Sequence, residues 1–167
     1  MINKINICPV IKDHFDTLAD AQGKRVLKRD IFLFYLTPLL IAIFVEYLEV
    51  QIPSKHLNTA IICHSIFIPL ILNAIFLIYS ILDKIKTKKK SQDKKPLKVL
   101  DHLYKNLAYT LLASSVSLFF LVLYSISFHY VISYIIRVIS TFLILNILLT
   151  TLMIIKRCHL LLKGEIV

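Results

Sequence analysis

Asp83-DKIKTKKKSQDKKPLKVLDHLYK-Lys105 is the stretch on which the reading of the fold turns. It carries nine lysines between apolar runs that are close to charge-free. In a soluble protein, a net charge of +10 would point to nucleic acid. Here the charge is segregated from long Leu-, Ile- and Phe-rich segments, and 57% of the 167 residues are hydrophobic, too many for an ordinary soluble domain. With only two glycines and no alternating pattern, the apolar runs read as helices rather than barrel strands. The lysines then become a topology signal, because basic residues accumulate on the cytoplasmic side of a membrane.

Outward from that stretch, the chain divides into two hydrophobic halves. Residues 31–82 hold a first transmembrane hairpin, with spans near Ile31–Val50 and Thr59–Leu82. Residues 106–155 hold a second, with spans near Asn106–Ser127 and Val131–Ile155. Each span approaches or exceeds the ~20 residues that a helix needs to cross a bilayer core. The Thr37-Pro38 step predicts a bend, since proline cannot donate to the helical ladder. Residues 1–30 form an amphipathic segment, with Ile7 to Leu18 at helical spacing and Pro9 tolerated in the first turn. Its ordinary reading is an anchor lying on the bilayer surface, and the alternative is a docking face. The basic loop covers 83–105, and the tail covers 156–167. Pro96 to Lys105 reads as a second interfacial helix.

Eighteen of the twenty Lys and Arg residues fall in these three polar segments, Lys55 and Arg137 being the exceptions. The expected fold is therefore an all-α integral membrane four-helix bundle of two antiparallel hairpins with cytoplasmic amphipathic segments. Both termini are expected in the cytoplasm of a bacterial cell, with the protein in its inner membrane. Residues 1–30 lack the apolar core of a signal peptide, and no lipidation signal is present.

Polar residues inside the spans usually have partners, because lone ionisable groups in hydrocarbon are costly. Glu46, His64 and Arg137 come from three spans and lie within about 10 Å of the outer surface at ~1.5 Å per residue. Glu46 is expected to pair with Arg137, with His64 joining the cluster. Fixing the packing is the favoured role for that cluster, ahead of transport. Asn73 and Asn146 are expected to make interhelical hydrogen bonds nearer the membrane centre. Each follows Leu-Ile-Leu, at 70–73 and 143–146, which raises the prospect of an internal duplication against the background of chance. Nine residues separate His64 from Asn73 and Arg137 from Asn146, two and a half helical turns. Polar groups thus stand on opposite sides of these helices, the best sequence hint of a homo-oligomer, with a re-packed monomer that uses both faces as the alternative. Thr110, Ser114, Ser117 and Tyr124 form a stripe suited to close helix packing, with a pore lining as the sharper alternative.

The chain carries no HExxH, GxSxG, P-loop, GxGxxG or HxE…PCxxC pattern, so no catalytic residue, cofactor or metal is expected. Its three cysteines make neither a disulfide framework nor a metal spacing. Lys84, Lys86, Lys88, Lys89, Lys90, Lys94, Lys95 and Lys98 form the expected surface for anionic inner-leaflet lipid or a cytosolic protein partner. The stretch lacks arginine and interleaved aromatics, which argues against direct nucleic-acid binding.

In size, span count, amphipathic N-terminal segment and basic central loop, the layout resembles the small four-span bacterial membrane proteins of anti-phage defence operons, such as the membrane subunit of Kiwa systems. No diagnostic motif is matched residue by residue, so no functional residue is carried over. The resemblance implies a membrane protein that either senses infection together with a cytosolic partner or permeabilises the membrane. The expected function is the first, a non-enzymatic oligomeric component that responds to membrane disturbance. A depolarising pore is the alternative and a small transporter the third reading.

Overall fold

The computed structural model describes residues 6–18, 31–48, 54–87, 94–126 and 130–163. All of the elements among them are helical: α1 (Cys8–Thr17), a π-helical turn (Phe32–Leu36) leading into α2 (Thr37–Tyr47), α3 (Ser54–Thr87), α4 (Lys94–Ser125) and α5 (Tyr130–Lys163). Three stretches are long and apolar enough to cross a membrane, His56–Ile85 in α3, Leu97–Ser125 in α4 and Tyr130–Leu161 in α5. The apolar helix Phe32–Tyr47 is shorter, and at ~1.5 Å per residue it is about 24 Å long.

The π-helical turn has an identifiable cause. Pro38 has no N–H for the carbonyl of Phe34, one turn earlier, so the regular ladder cannot continue through this point. The backbone widens to bonds five residues apart, and the Thr37 N–H reaches the Phe32 carbonyl. The Thr37 hydroxyl reinforces the same acceptor at 3.1 Å. The bend expected at Thr37-Pro38 thus takes the form of a π-bulge, a common solution where a helix must be locally re-registered.

The long helices pack side by side in the order α3, α4, α5, α2, with α1 against α4. Among the described residues, α2 makes no close backbone approach to α3, so the first hairpin is not a packed pair. Its arms lie on opposite flanks of the α4–α5 pair, α3 on α4 and α2 on α5. Small residues of α4 suit close packing against its neighbours: Thr110, Ala113, Ser114 and Ser117 are all buried, and Ser117 bonds to His64 of α3. Outward surfaces remain apolar, with Phe44, Leu70, Phe76, Phe119 and Leu148 all more than half exposed, the pattern of a chain whose solvent is hydrocarbon.

The basic stretch is less of a loop than its charge suggests. Helix α3 continues to Thr87 and α4 begins at Lys94. The interfacial helix expected over Pro96–Lys105 is the first part of α4 itself, continuous with the apolar span. Pro96 falls in the first turn, where a missing N–H removes no helical bond.

Candidate functional site

The buried polar side chains of α1 begin a network reaching three other segments. His14 is fully buried, its ring stacked on that of Tyr109 in α4 at 3.8 Å between centroids and 4° between planes. Its Nδ1–H donates to the Asn106 Oδ1 at 3.0 Å. The Thr17 hydroxyl, also buried, lies 2.6 Å from the same Oδ1 and 2.7 Å from the His14 carbonyl, sharing its one proton between two acceptors. Arg157, near the end of α5, donates from Nη2 to the Thr17 carbonyl at 2.7 Å. A guanidinium thus satisfies a carbonyl of the last turn of α1, where a cation also suits the helix dipole.

The network continues along α4 and α5. The Tyr109 hydroxyl donates to Asn146 Oδ1 at 2.8 Å, and Asn146 Nδ2 donates to the Phe34 carbonyl at 2.8 Å. That carbonyl is the one for which Pro38 supplies no N–H. The proline and the asparagine are therefore two halves of one device, a released acceptor on the π turn and a buried donor on α5. Asn146 is wholly buried and makes the interhelical bonds expected of it. Four segments meet at this node, α1, the π turn, α4 and α5, and Phe15 of α1 also stacks on Tyr35 of the π turn at 5.0 Å.

Burial pushes His14 down to about 4, and the Arg157 charge pushes the same way, while the bond to Asn106 opposes both. The imidazole is therefore neutral at cellular pH. Among the described residues, His14 Nε2, Asn106 Nδ2 and Arg157 Nη1 find no hydrogen-bond partner. A polar junction satisfied only in part holds its members more weakly than a completed one.

The chain matches no family model. No curated protein and no solved structure matches it at a significant level either.

A second polar centre lies toward the other end of the long helices. Arg137 Nε stands 2.9 Å from Glu46 Oε2, with the carboxylate side chain 3% exposed. The N–H is not aligned as a hydrogen bond, so attraction between the charges holds the contact. The pair borders a cavity of about 70 Å³ lined also by His56, Ala60, Tyr124 and Ser140. His64 stands apart from the pair: it is bonded to the Ala60 carbonyl at 3.2 Å and, through Nε2, to the Ser117 hydroxyl at 3.2 Å. The three-residue cluster is thus a pair, and His56 rather than His64 shares its cavity. The reason is rotational, since His64 turns toward α4 while the pair bridges α2 and α5.

Asn73 is exposed on α3 and bonds to none of the described residues, unlike its counterpart Asn146. The shared Leu-Ile-Leu-Asn therefore serves two different surfaces. Of the lysines, Lys84 and Lys98 are exposed at the facing ends of α3 and α4. Lys86, Lys94 and Lys95 lie on the helical backbone, and Lys88, Lys89 and Lys90 fall outside the described residues. No cluster of His, Cys, Asp or Glu suited to a metal occurs among the described residues.

Sequence reasoning missed the His14–Asn106–Arg157 node. The one available signal was His14 itself, at helical spacing with Ile7, Ile11 and Leu18 on the apolar side of an amphipathic helix, where a histidine is either out of place or partnered.

Proposed function

We propose that this chain is a non-enzymatic, multi-pass protein of the bacterial inner membrane that couples the state of its membrane helices to a cytoplasmic docking surface. In the wider setting suggested by its layout, it is the oligomeric membrane component of an antiviral defence system, sensing membrane disturbance and engaging a cytosolic protein. The observation that supports this reading is the node at His14. Helix α1 is held by Asn106 of α4 and Arg157 of α5, so any change in the angle between those two helices alters both attachments of α1 at once. A disturbance that changes that angle weakens both bonds together and favours release of α1. Released α1 and the lysine stretch then offer an amphipathic helix and a basic surface to a partner, with anionic lipid competing for the same charge.

A depolarising pore has less support. Thr110, Ser114 and Ser117, the stripe best suited to line one, are buried, and Ser117 bonds to His64. Charge reversal at Lys88, Lys89 and Lys90, followed by recovery of the cytosolic partner from mild detergent, tests the docking reading. Reduced recovery is expected, and unchanged recovery counts against it. Depolarisation of a potential-sensitive dye on expression, relieved by substitution of Arg137 or Glu46, would favour the pore instead.

A further inference from the structure

Helix α3 packs on α4 and turns the rest of its circumference away from the chain. Only 6% of its most apolar window is buried, against 33% for α4. At 100° per residue, Ile62, Ile66, Pro69, Leu77 and Ser80 all lie within about 40° of the direction of Asn73, and all are exposed. The opposite edge carries His64, Ile71 and Leu82, of which His64 bonds to α4 while Ile71 and Leu82 are buried. The outward stripe from Ile62 to Ser80 is ~27 Å long at ~1.5 Å per residue, close to the full thickness of a hydrocarbon core.

Most of this stripe is what contact with lipid requires. Asn73 is not. Its carboxamide has two donor hydrogens and an acceptor, sits midway along the apolar stripe, and bonds to none of the described residues. On the same side, Pro69 leaves the Ser65 carbonyl without its usual donor one turn earlier. Asn146, in the same Leu-Ile-Leu-Asn context, has both ends of its amide satisfied inside the chain. The polar group on α3 therefore calls for an acceptor and a donor from outside.

We propose that this face of α3 is the interface with a second copy of the same chain, centred on an Asn73–Asn73 hydrogen bond across a two-fold axis parallel to the membrane normal. Copies inserted in one orientation present Asn73 at the same depth. A carboxamide is its own complement, so the symmetry that brings the residue to itself also satisfies it. The stripe carries no charge that a like copy would repel. Helix α3 is an edge helix: among the described residues its backbone packs closely on α4 alone, and only its first turns, at His56 and Ala60, share a cavity with α2 and α5. The inference rests on the membrane insertion proposed above and is independent of the cytosolic partner.

The test uses the full chain in native membranes with Cys8, Cys63 and Cys158 replaced. Asn73→Cys is compared with Leu148→Cys, a control on the exposed face of α5. Oxidation is expected to give a dimer-sized product from Asn73→Cys and little from Leu148→Cys. In detergent, Asn73→Leu should raise the dimer dissociation constant about threefold to thirtyfold, and Asn73→Gln should restore much of the loss. Equal cross-linking at the two positions, a product of another size, or an unchanged constant for Asn73→Leu would overturn the interface. Extraction of the protein by alkaline carbonate would overturn the interface and the membrane reading beneath it together, whereas failed cross-linking of a carbonate-resistant protein removes the interface alone.

Discussion

His14 is the residue at which acidity and structure are linked. Its ordinary value near 6.5 is lowered to about 4 by burial against Tyr109, with Arg157 adding repulsion. In the undocked helix the imidazole titrates normally, so between these two values the undocked state binds more protons than the docked one. Docking is therefore at full strength above pH 6.5 and weakens as pH falls toward 4, by an amount approaching roughly 3 kcal/mol at the acid end. A solvent-sensitive fluorophore on Cys8, with Cys63 and Cys158 replaced, should report release of α1 over that window. His14→Asn should flatten the profile, and an unchanged profile would show that His14 does not control docking. Glu46 and Arg137 were legible in the sequence because charges inside apolar spans must be matched, and only these two opposite charges share a depth. Asn106 was not, because an asparagine at a span boundary needs no partner, and His14 lies 92 residues away with no pattern joining them.

Among the elements, the π turn and α5 share one hydrogen-bonding problem. Asn146→Leu removes the donor to the Phe34 carbonyl and should destabilise the protein by about 0.6 to 2 kcal/mol. Pro38→Ala supplies the missing N–H and lets the ladder close on Phe34 itself. The double variant is therefore expected to be less destabilised than the sum of the two single ones, measured as thermal unfolding in detergent; strict additivity would mean that the proline and the asparagine act separately. The amphipathic pattern from Ile7 to Leu18 located α1 to within a residue or so, because its apolar spacing and Pro9 are local signals. The lysine stretch misled for a related reason. Charge reports which side of the membrane a segment occupies, not whether it is helical, and lysine is a good helix former. Helices α3 and α4 accordingly run into the charged stretch from both sides. The packing order was beyond local pattern altogether, since consecutive spans joined by a short turn are expected to pair, yet α2 lies on α5 and α3 on α4.

At the scale of the whole molecule, the two polar centres fix which way α2 runs. Phe34, just before α2, meets Asn146, and Glu46, near its end, meets Arg137. Nine residues of α5 separate those partners, so α2 runs alongside α5, away from the end where α1, Asn106 and Arg157 meet. A fourth span at the shorter apolar helix Phe32–Tyr47 would require this direction, and the number of spans can be read from which side Cys8 occupies. A four-span arrangement keeps Cys8 on the side of Lys89, whereas three spans would place it opposite. With the other cysteines replaced, an impermeant maleimide applied to intact spheroplasts should label Phe128→Cys, and should reach Cys8 and Lys89→Cys only after permeabilisation. Labelling of Cys8 in intact spheroplasts alongside Phe128→Cys would reduce the count to three and detach α1 from the cytoplasmic role proposed for it.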